Sequence, residues 1–365
     1  MQLTVSPGIY CRQAGAIAKT GYYAALTGAT ACVIGGKRAL NCVGAAIRDS
    51  LEANNVKLID EIWYGGECTW DNVNRLAALP SVREAEVLIG VGGGRALDTS
   101  KLVAYKVQKP LITVPTIAAT CAAWSTIGVV NDANGAFLEV SNLAANPQTV
   151  IVDSQIIAAA PSEFLVAGMG DTLAKWYEGE ASTRGKQVNQ NGRAALALAR
   201  LIRDTIIEQG ERALADARQG QASSALEEVV DGIIMLAGMV SNLGGDACRT
   251  SGAHSFYSAL TILEPIHAVL HGKVVGFGIL CQLIMDKASE HSIDEYVAFC
   301  RKVGLPVTLA EMGIGDLTDR QLQQVAVRAT EIPDMANMPY RVTAAMVAAA
   351  IRGADARGRQ GRMQG

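Results

Sequence analysis

Hydrophobic positions change their spacing partway along the chain. Up to about residue 160 they come in short blocks; beyond it they recur every three or four positions. Ala31–Gly35, Val56–Tyr64, Val87–Val91, Leu111–Val114 and Thr149–Val152 have strand length and end at glycine, proline or polar residues. Residues 38–54, 71–78 and 95–107 lie between them and have helical spacing. This alternation predicts a parallel sheet with helices on both faces. Residues 127–140 break the rhythm, because two apolar runs flank Asn131-Asp-Ala-Asn-Gly135, a hairpin signal. At Pro161 a helix start is expected, with proline in the first turn. Helical periods then fill 194–207, 225–240, 253–263, 274–283, 293–303 and 319–330. Val274–Met285 is too short to span a bilayer and predicts a buried core helix. The expected division is an α/β domain at 1–158 and an all-helical domain at 159–365. The tail 352–365, with four arginines among glycines, reads as a frayed, solvated end.

Composition narrows the class. Half of the 365 residues are apolar and 18% are charged, which suits a globular protein with a large core. A net charge of −3 speaks against general affinity for nucleic acid or acidic lipid. The N-terminus has no basic region followed by an apolar run, so no signal peptide is expected. Eight cysteines without a C-x-x-C predict reduced thiols and a cytoplasmic location.

Two groups of residues carry chemistry. The first is VLIGVGGGRALDTSK, residues 87–101: a buried strand, three glycines, then a helix. Glycine lets the backbone approach an anion, and the free N–H groups of the following helix face it. Arg95 stands where the last glycine of G-x-G-x-x-G is due, so this is not the ordinary dinucleotide fingerprint. The second group draws on the four histidines, of which His254, His267 and His271 lie close in sequence. His267 and His271, four apart, share one face if helical. Asp171 sits in an otherwise apolar helical stretch, where a carboxylate is costly unless paired or bound to a cation. Singly, each reads as a helix cap or a core histidine. Together, Asp171, His254 and His271 give one oxygen and two imidazoles and leave an open position on a divalent metal.

These pieces resemble the iron-containing alcohol dehydrogenase superfamily in its glycerol dehydrogenase branch. The matching strings are GVGGGRALDTSK, VPTIAATCAAWS, GMGDTLAKWYE, GAH at 252–254 and HAVLHGKVVGFGILCQL, in family order. The resemblance implies a dehydroquinate synthase-like fold: a nucleotide-binding α/β domain, an all-helical domain, and an active site in the cleft between them. It implies Asp171, His254 and His271 as metal ligands. Lys175 stands where the family's long-chain iron enzymes have a fourth ligand, so zinc is expected ahead of iron. It also implies that Gly92, Gly93, Gly94 and Asp98 cradle the pyrophosphate and its ribose, with Thr116, Thr120, Ser125 and Ile127 lining the cofactor cleft. A homo-oligomer is expected on the same ground.

Two departures bear on substrate and cofactor. Glycerol dehydrogenases carry Asp at the end of the strand that here leads into Gly35-Gly36-Lys37-Arg38. Without that acid, Lys37 and Arg38 would attract a 2′-phosphate, which favours NADPH over NAD and puts Gly36 and Lys37 at the cofactor. The family's S-T-D-A-P loop reads Thr120-Cys121-Ala122-Ala123-Trp124 here, which removes a carboxylate that contacts polyol hydroxyls. TIAATCAAW is similar to the bacterial hydroxycarboxylate dehydrogenase A group, which reduces 2-oxo acids. Cys121, Arg249 and His267 are then the expected substrate contacts, with His267 also a candidate proton relay. The expected reaction is hydride transfer between a nicotinamide and a 2-oxo or 2-hydroxy acid, with the metal as Lewis acid. Glycerol oxidation with NAD is the alternative, and a non-catalytic nucleotide-binding relative the second.

Overall fold

The two spacings build two units. The computed structural model describes residues 5–248 and 250–360. One unit comprises Met1–Ser162 and Asp216–Asn242, the other Glu163–Ala215 and Leu243–Gly365.

The first unit holds all the strands among the described residues: β1 Ile9–Gln13, β2 Thr30–Gly35, β3 Lys57–Trp63, β4 Val87–Gly92, β5 Leu111–Pro115, β6 Ile127–Asn131, β7 Phe137–Asn142 and β8 Thr149–Asp153. Six form a parallel sheet in the order β1-β8-β5-β4-β2-β3, while β6 and β7 form the expected antiparallel hairpin. Side chains alternate across the sheet with period two. Ala31 and Val33 meet Val43, Ile47 and Leu51 of the helix Lys37–Ala53 on one face. Cys32 and Ile34 meet Val73 and Leu76 of Trp70–Ala78, and Leu102 and Val103 of Gly94–Val107, on the other. β1 lies outside the predicted blocks. It is an edge strand with half-buried side chains, so it needs no continuous apolar run.

Strand order fixes where a ligand belongs. From β2 the chain goes to β3 on one side, then crosses back to β4 and β5 on the other. The carboxyl ends of β2 and β4 therefore lie side by side at the point where the order reverses. The Gly36 N–H donates to the Val91 carbonyl there, at 3.2 Å. Open α/β sheets bind ligands at this kind of crevice.

Residues 216–242 were expected with the helical domain, and their contacts place them with the sheet. Asp231 accepts hydrogen bonds from the Tyr10 hydroxyl at 2.7 Å and from Arg12 Nε at 3.0 Å. Glu227 accepts from Ser154 at 2.8 Å. A Cβ on Gly238 would lie 2.3 Å from Trp124 Cδ1, so helix and indole touch directly. Apolar period reports a helix; it does not report which core that helix meets.

The second unit is helical among its described residues. Its main elements include Ser162–Thr183, Gly252–Leu260, His271–Met285, Glu290–Val303, Asp319–Glu331 and Ala344–Gln360. His271–Met285 is buried almost throughout, as expected of a predominantly apolar core helix. Its Gly272 meets Gly170 of Ser162–Thr183. A Cβ on Gly272 would sit 1.9 Å from the Ala167 carbonyl oxygen, and one on Gly170 would sit 2.2 Å from the Gly272 carbonyl oxygen. The two backbones thus touch beside Asp171 and His271.

The expected frayed tail is corrected over residues 352–360, which continue the helix Ala344–Gln360. Val347, Ala350, Ile351 and Ala354 recur at helical spacing and are buried, and Arg357 pairs with Glu290 and Asp294. The small residues read as a solvated end are what let this helix pack closely. Residues 361–365 lie outside the described residues. No helix among the described residues is long and apolar enough to cross a membrane.

Candidate metal centre and nucleotide-binding turn

The glycine stretch folds as strand, turn and helix. β4 ends at Gly92, whose φ of +137° suits only glycine. Gly93 precedes the helix Gly94–Val107 with no side-chain cap, which leaves that helix's first N–H groups to an anion. Thr116 N–H donates to the Gly92 carbonyl at 3.2 Å, and Thr120 Oγ1 caps the short turn Cys121–Ala123. Cys121 is half-buried in that turn.

Asp98 and Ser125, expected at the cofactor, are both held by Lys101. Asp98 Oδ1 lies 2.8 Å from Lys101 Nζ, and its Oδ2 accepts from the Val129 N–H at 3.2 Å. Lys101 Nζ also donates to Ser125 Oγ at 3.1 Å and to the Ser125 and Ile127 carbonyls. The Lys101 side chain is 1% exposed. This buried ion pair ties the glycine helix to the loop and hairpin through residues 125–129. Lys101 was missed by sequence reasoning, although an Asp and a Lys three apart on an apolar helix are a pairing signal.

Gly36 caps the helix Lys37–Ala53 at the end of β2, and a Cβ there would meet only Tyr64, at 3.7 Å. Sterics therefore do not demand this glycine. Lys37 Nζ lies 4.2 Å from the Trp63 ring centroid, a cation–π contact at an exposed edge.

Asp171, His254 and His271 come together in the second unit, with one ligand atom from each within 4.8 Å of the others. Asp171 Oδ1 lies 3.3 Å from His254 Nε2 and 3.2 Å from His271 Nε2. Metal bonds of about 2.0–2.1 Å in a tetrahedron require ligand–ligand edges of about 3.3 Å. The donor set and its spacing fit a divalent cation such as zinc. Burial alone would raise the Asp171 carboxyl, but hydrogen bonds from both imidazoles outweigh it and hold it well below the usual carboxylate range. Burial alone would lower His254; the Glu178 and Asp171 carboxylates outweigh it and push it up to about 10. Protons and a divalent cation compete for the same ring nitrogens.

The surroundings fix the rings. His254 Nδ1 lies 2.6 Å from Glu178 Oε2. The Tyr257 ring meets His271 edge-on, with centroids 4.2 Å apart. Sequence reasoning missed Glu178, although it follows Asp171 by two helical turns and so shares its face.

Other expected residues lie elsewhere. His267 is exposed in the short turn Glu264–Ala268, before the helix that carries His271, and its Nε2 lies 2.8 Å from the Thr261 carbonyl. It shares no helix with His271 and does not join the cluster. The Pro265 turn and the separate start at His271 break the continuity that a four-residue spacing implied. Arg249 lies outside the described residues.

Comparison with known proteins agrees with this architecture. A family model described as iron-containing alcohol dehydrogenase matches residues 7–154. Glycerol dehydrogenase of Citrobacter freundii is 36% identical over 365 residues, 99% of both chains. Hydroxycarboxylate dehydrogenase A of Escherichia coli (strain K12) is 34% identical over 291 residues, 80% of this chain and 79% of that one. The crystal structure of a probable glycerol dehydrogenase from Sinorhizobium meliloti 1021 superposes with a TM-score of 0.88 at 31% identity, covering 99% of this chain and 100% of that chain. The chain belongs to the iron-containing alcohol dehydrogenase family, in its glycerol dehydrogenase branch.

Proposed function

We propose that this alcohol dehydrogenase interconverts a small polyol, glycerol first, and its carbonyl partner, using a nicotinamide cofactor and one divalent metal, zinc. The single observation that carries the reading is the oxygen–nitrogen–nitrogen cluster of Asp171, His254 and His271. When bound, the metal supplies a Lewis acid at the substrate oxygen, and the nicotinamide carries the hydride. Asp171, His254 and His271 would hold the metal. The N–H groups opening the helix Gly94–Val107 would bind the pyrophosphate. Asp98 and Lys101 fix the neighbouring loop, which keeps the turn in one shape. Glycerol leads because glycerol dehydrogenases at 35–40% identity match the chain.

A second reading, 2-oxo acid reduction with NADPH, has a specific observation behind it. The turn at Cys121–Ala123 carries no carboxylate, and β2 is followed by Gly36 and Lys37 without an acid. The test is steady-state turnover of zinc-loaded protein, with glycerol and NAD in one arm and 2-oxobutyrate or 2-oxoglutarate and NADPH in the other, each repeated with the other cofactor. Glycerol oxidation that is lost with a chelator and restored by Zn²⁺ is expected. Turnover confined to the 2-oxo acids would replace the first reading with the second. No turnover in either arm after zinc is restored would overturn both.

A further inference from the structure

We propose that Glu178 is a positioning residue that makes Nε2 the metal-facing nitrogen of His254. The inference rests on Asp171, His254 and His271 forming a metal site. Glu178 has a fully buried side chain, where a carboxylate without partners would be strongly destabilising. It has three donors. Its Oε1 accepts the Ser251 N–H at 2.8 Å and the His254 N–H at 2.9 Å, while its Oε2 faces His254 Nδ1 at 2.6 Å. The helix Gly252–Leu260 receives no side-chain cap from its own Ser251. Glu178 and Gln282 cap it from other helices, Gln282 by accepting the Ala253 N–H at 3.0 Å. One carboxylate therefore holds both the backbone and the ring of His254, and it rides on the helix that presents Asp171.

Two consequences follow. With Nδ1–H donated to Glu178, the lone pair of the neutral imidazole is on Nε2, on the Asp171 side. Asp171 and Glu178 together also carry two negative charges, which balance a divalent cation among neutral imidazoles. A carboxylate that merely capped the helix would need neither the contact with Nδ1 nor the second charge.

Glu178→Gln separates the two roles. The amide oxygen can keep both backbone N–H groups while the amide NH₂ donates to Nδ1. The proton left on the ring is then the one on Nε2, which donates to Asp171. Both backbone N–H groups and the ring keep partners in the metal-free fold, one amide N–H is left over, and the metal-facing nitrogen carries a proton. The experiment is zinc competition against a chromogenic chelator on the full chain, with thermal melting of the metal-free protein in parallel. The expected result for E178Q is zinc affinity lower by about 10–100-fold, with a metal-free Tm within about 4 °C of wild type. Wild-type zinc affinity in E178Q would overturn the inference and leave the metal reading standing. A wild-type protein that binds no zinc, like Asp171→Asn, would overturn the metal reading and the inference with it. Should E178Q fail to fold, Glu178→Asp keeps both oxygens but shortens their reach. Weakened zinc binding at retained Tm in E178D supports the inference; a Tm that collapses in both variants reduces Glu178 to a helix cap.

Discussion

The candidate nucleotide turn and the candidate metal cluster reach their geometry by opposite routes. The turn is contiguous, with β4, its glycines and the following helix all within Val87–Val107. The cluster joins Asp171 to His271 across 100 residues. Backbone chemistry shapes the first: a positive φ at Gly92, an uncapped helix start at Gly94, and one buried ion pair behind them. Packing shapes the second. Gly170 and Gly272 bring two helices into backbone contact, and a Cβ on Gly278 would lie 2.4 Å from the Ala253 carbonyl oxygen, beside His254. Damage to the first should therefore stay with nucleotide binding, and damage to the second with metal binding.

The largest test of that separation is Lys101→Met. Methionine has similar bulk but leaves Asp98 buried without its cation, at a cost of about 3–5 kcal/mol. Burial already raises the Asp98 carboxyl despite Lys101, and without Lys101 it rises further. A carboxyl whose folded pKa exceeds its unfolded value favours folding below the unfolded pKa, and that contribution is lost as pH rises through the folded one. The K101M deficit in urea unfolding should thus be smallest near pH 4 and grow toward pH 8; a deficit flat in pH would mean Asp98 is not left charged. Nucleotide binding should fall while zinc binding holds. Gly272→Ala is the reverse case. Its methyl has no room against the Ala167 carbonyl, so the helices must part at a cost of about 1–3 kcal/mol. Zinc competition should show weakened binding, and fluorescence titration should show nucleotide binding unchanged. Loss of both functions in either variant would break the comparison.

The same contrast explains what the sequence disclosed. The glycine turn was legible because strand, glycines and helix are adjacent, and their periods change at the turn. Asp171, His254 and His271 were legible because polar groups on apolar helical stretches need a reason to be there. Their packing was not legible: Gly170 and Gly272 look like any helical glycines until the opposite backbone is in place. Lys101 and Glu178 were hidden similarly, since a charged residue on a helix reads as solvated until burial shows otherwise. His267 misled because four-residue spacing implies a shared face only within one helix. The helix Ala344–Gln360 was partly lost because Ala, Gly and Arg in a terminal stretch carry weak hydrophobic contrast.

The smallest expected change in stability comes from Gly36→Asp, which tests whether a ligand sits where the strand order reverses. A Cβ at Gly36 meets only Tyr64, at ordinary contact distance. Aspartate at a helix N-cap is better than glycine by a few tenths of a kcal/mol, so the Tm should hold or rise slightly. Its carboxylate would stand at the end of β2, where it can accept a ribose 2′-hydroxyl and repel a 2′-phosphate. The ratio of NADP to NAD affinity should move toward NAD by about tenfold, corresponding to about 1.4 kcal/mol. Glycine leaves this choice to Lys37, whose cation already rests on Trp63 at 4.2 Å. If binding titrations with the two cofactors give an unchanged ratio at an unchanged Tm, the adenosine end does not lie at β2. The choice between the two cofactors would then be made elsewhere, and the glycine turn, which faces the pyrophosphate and not the ribose 2′ position, would keep its own reading.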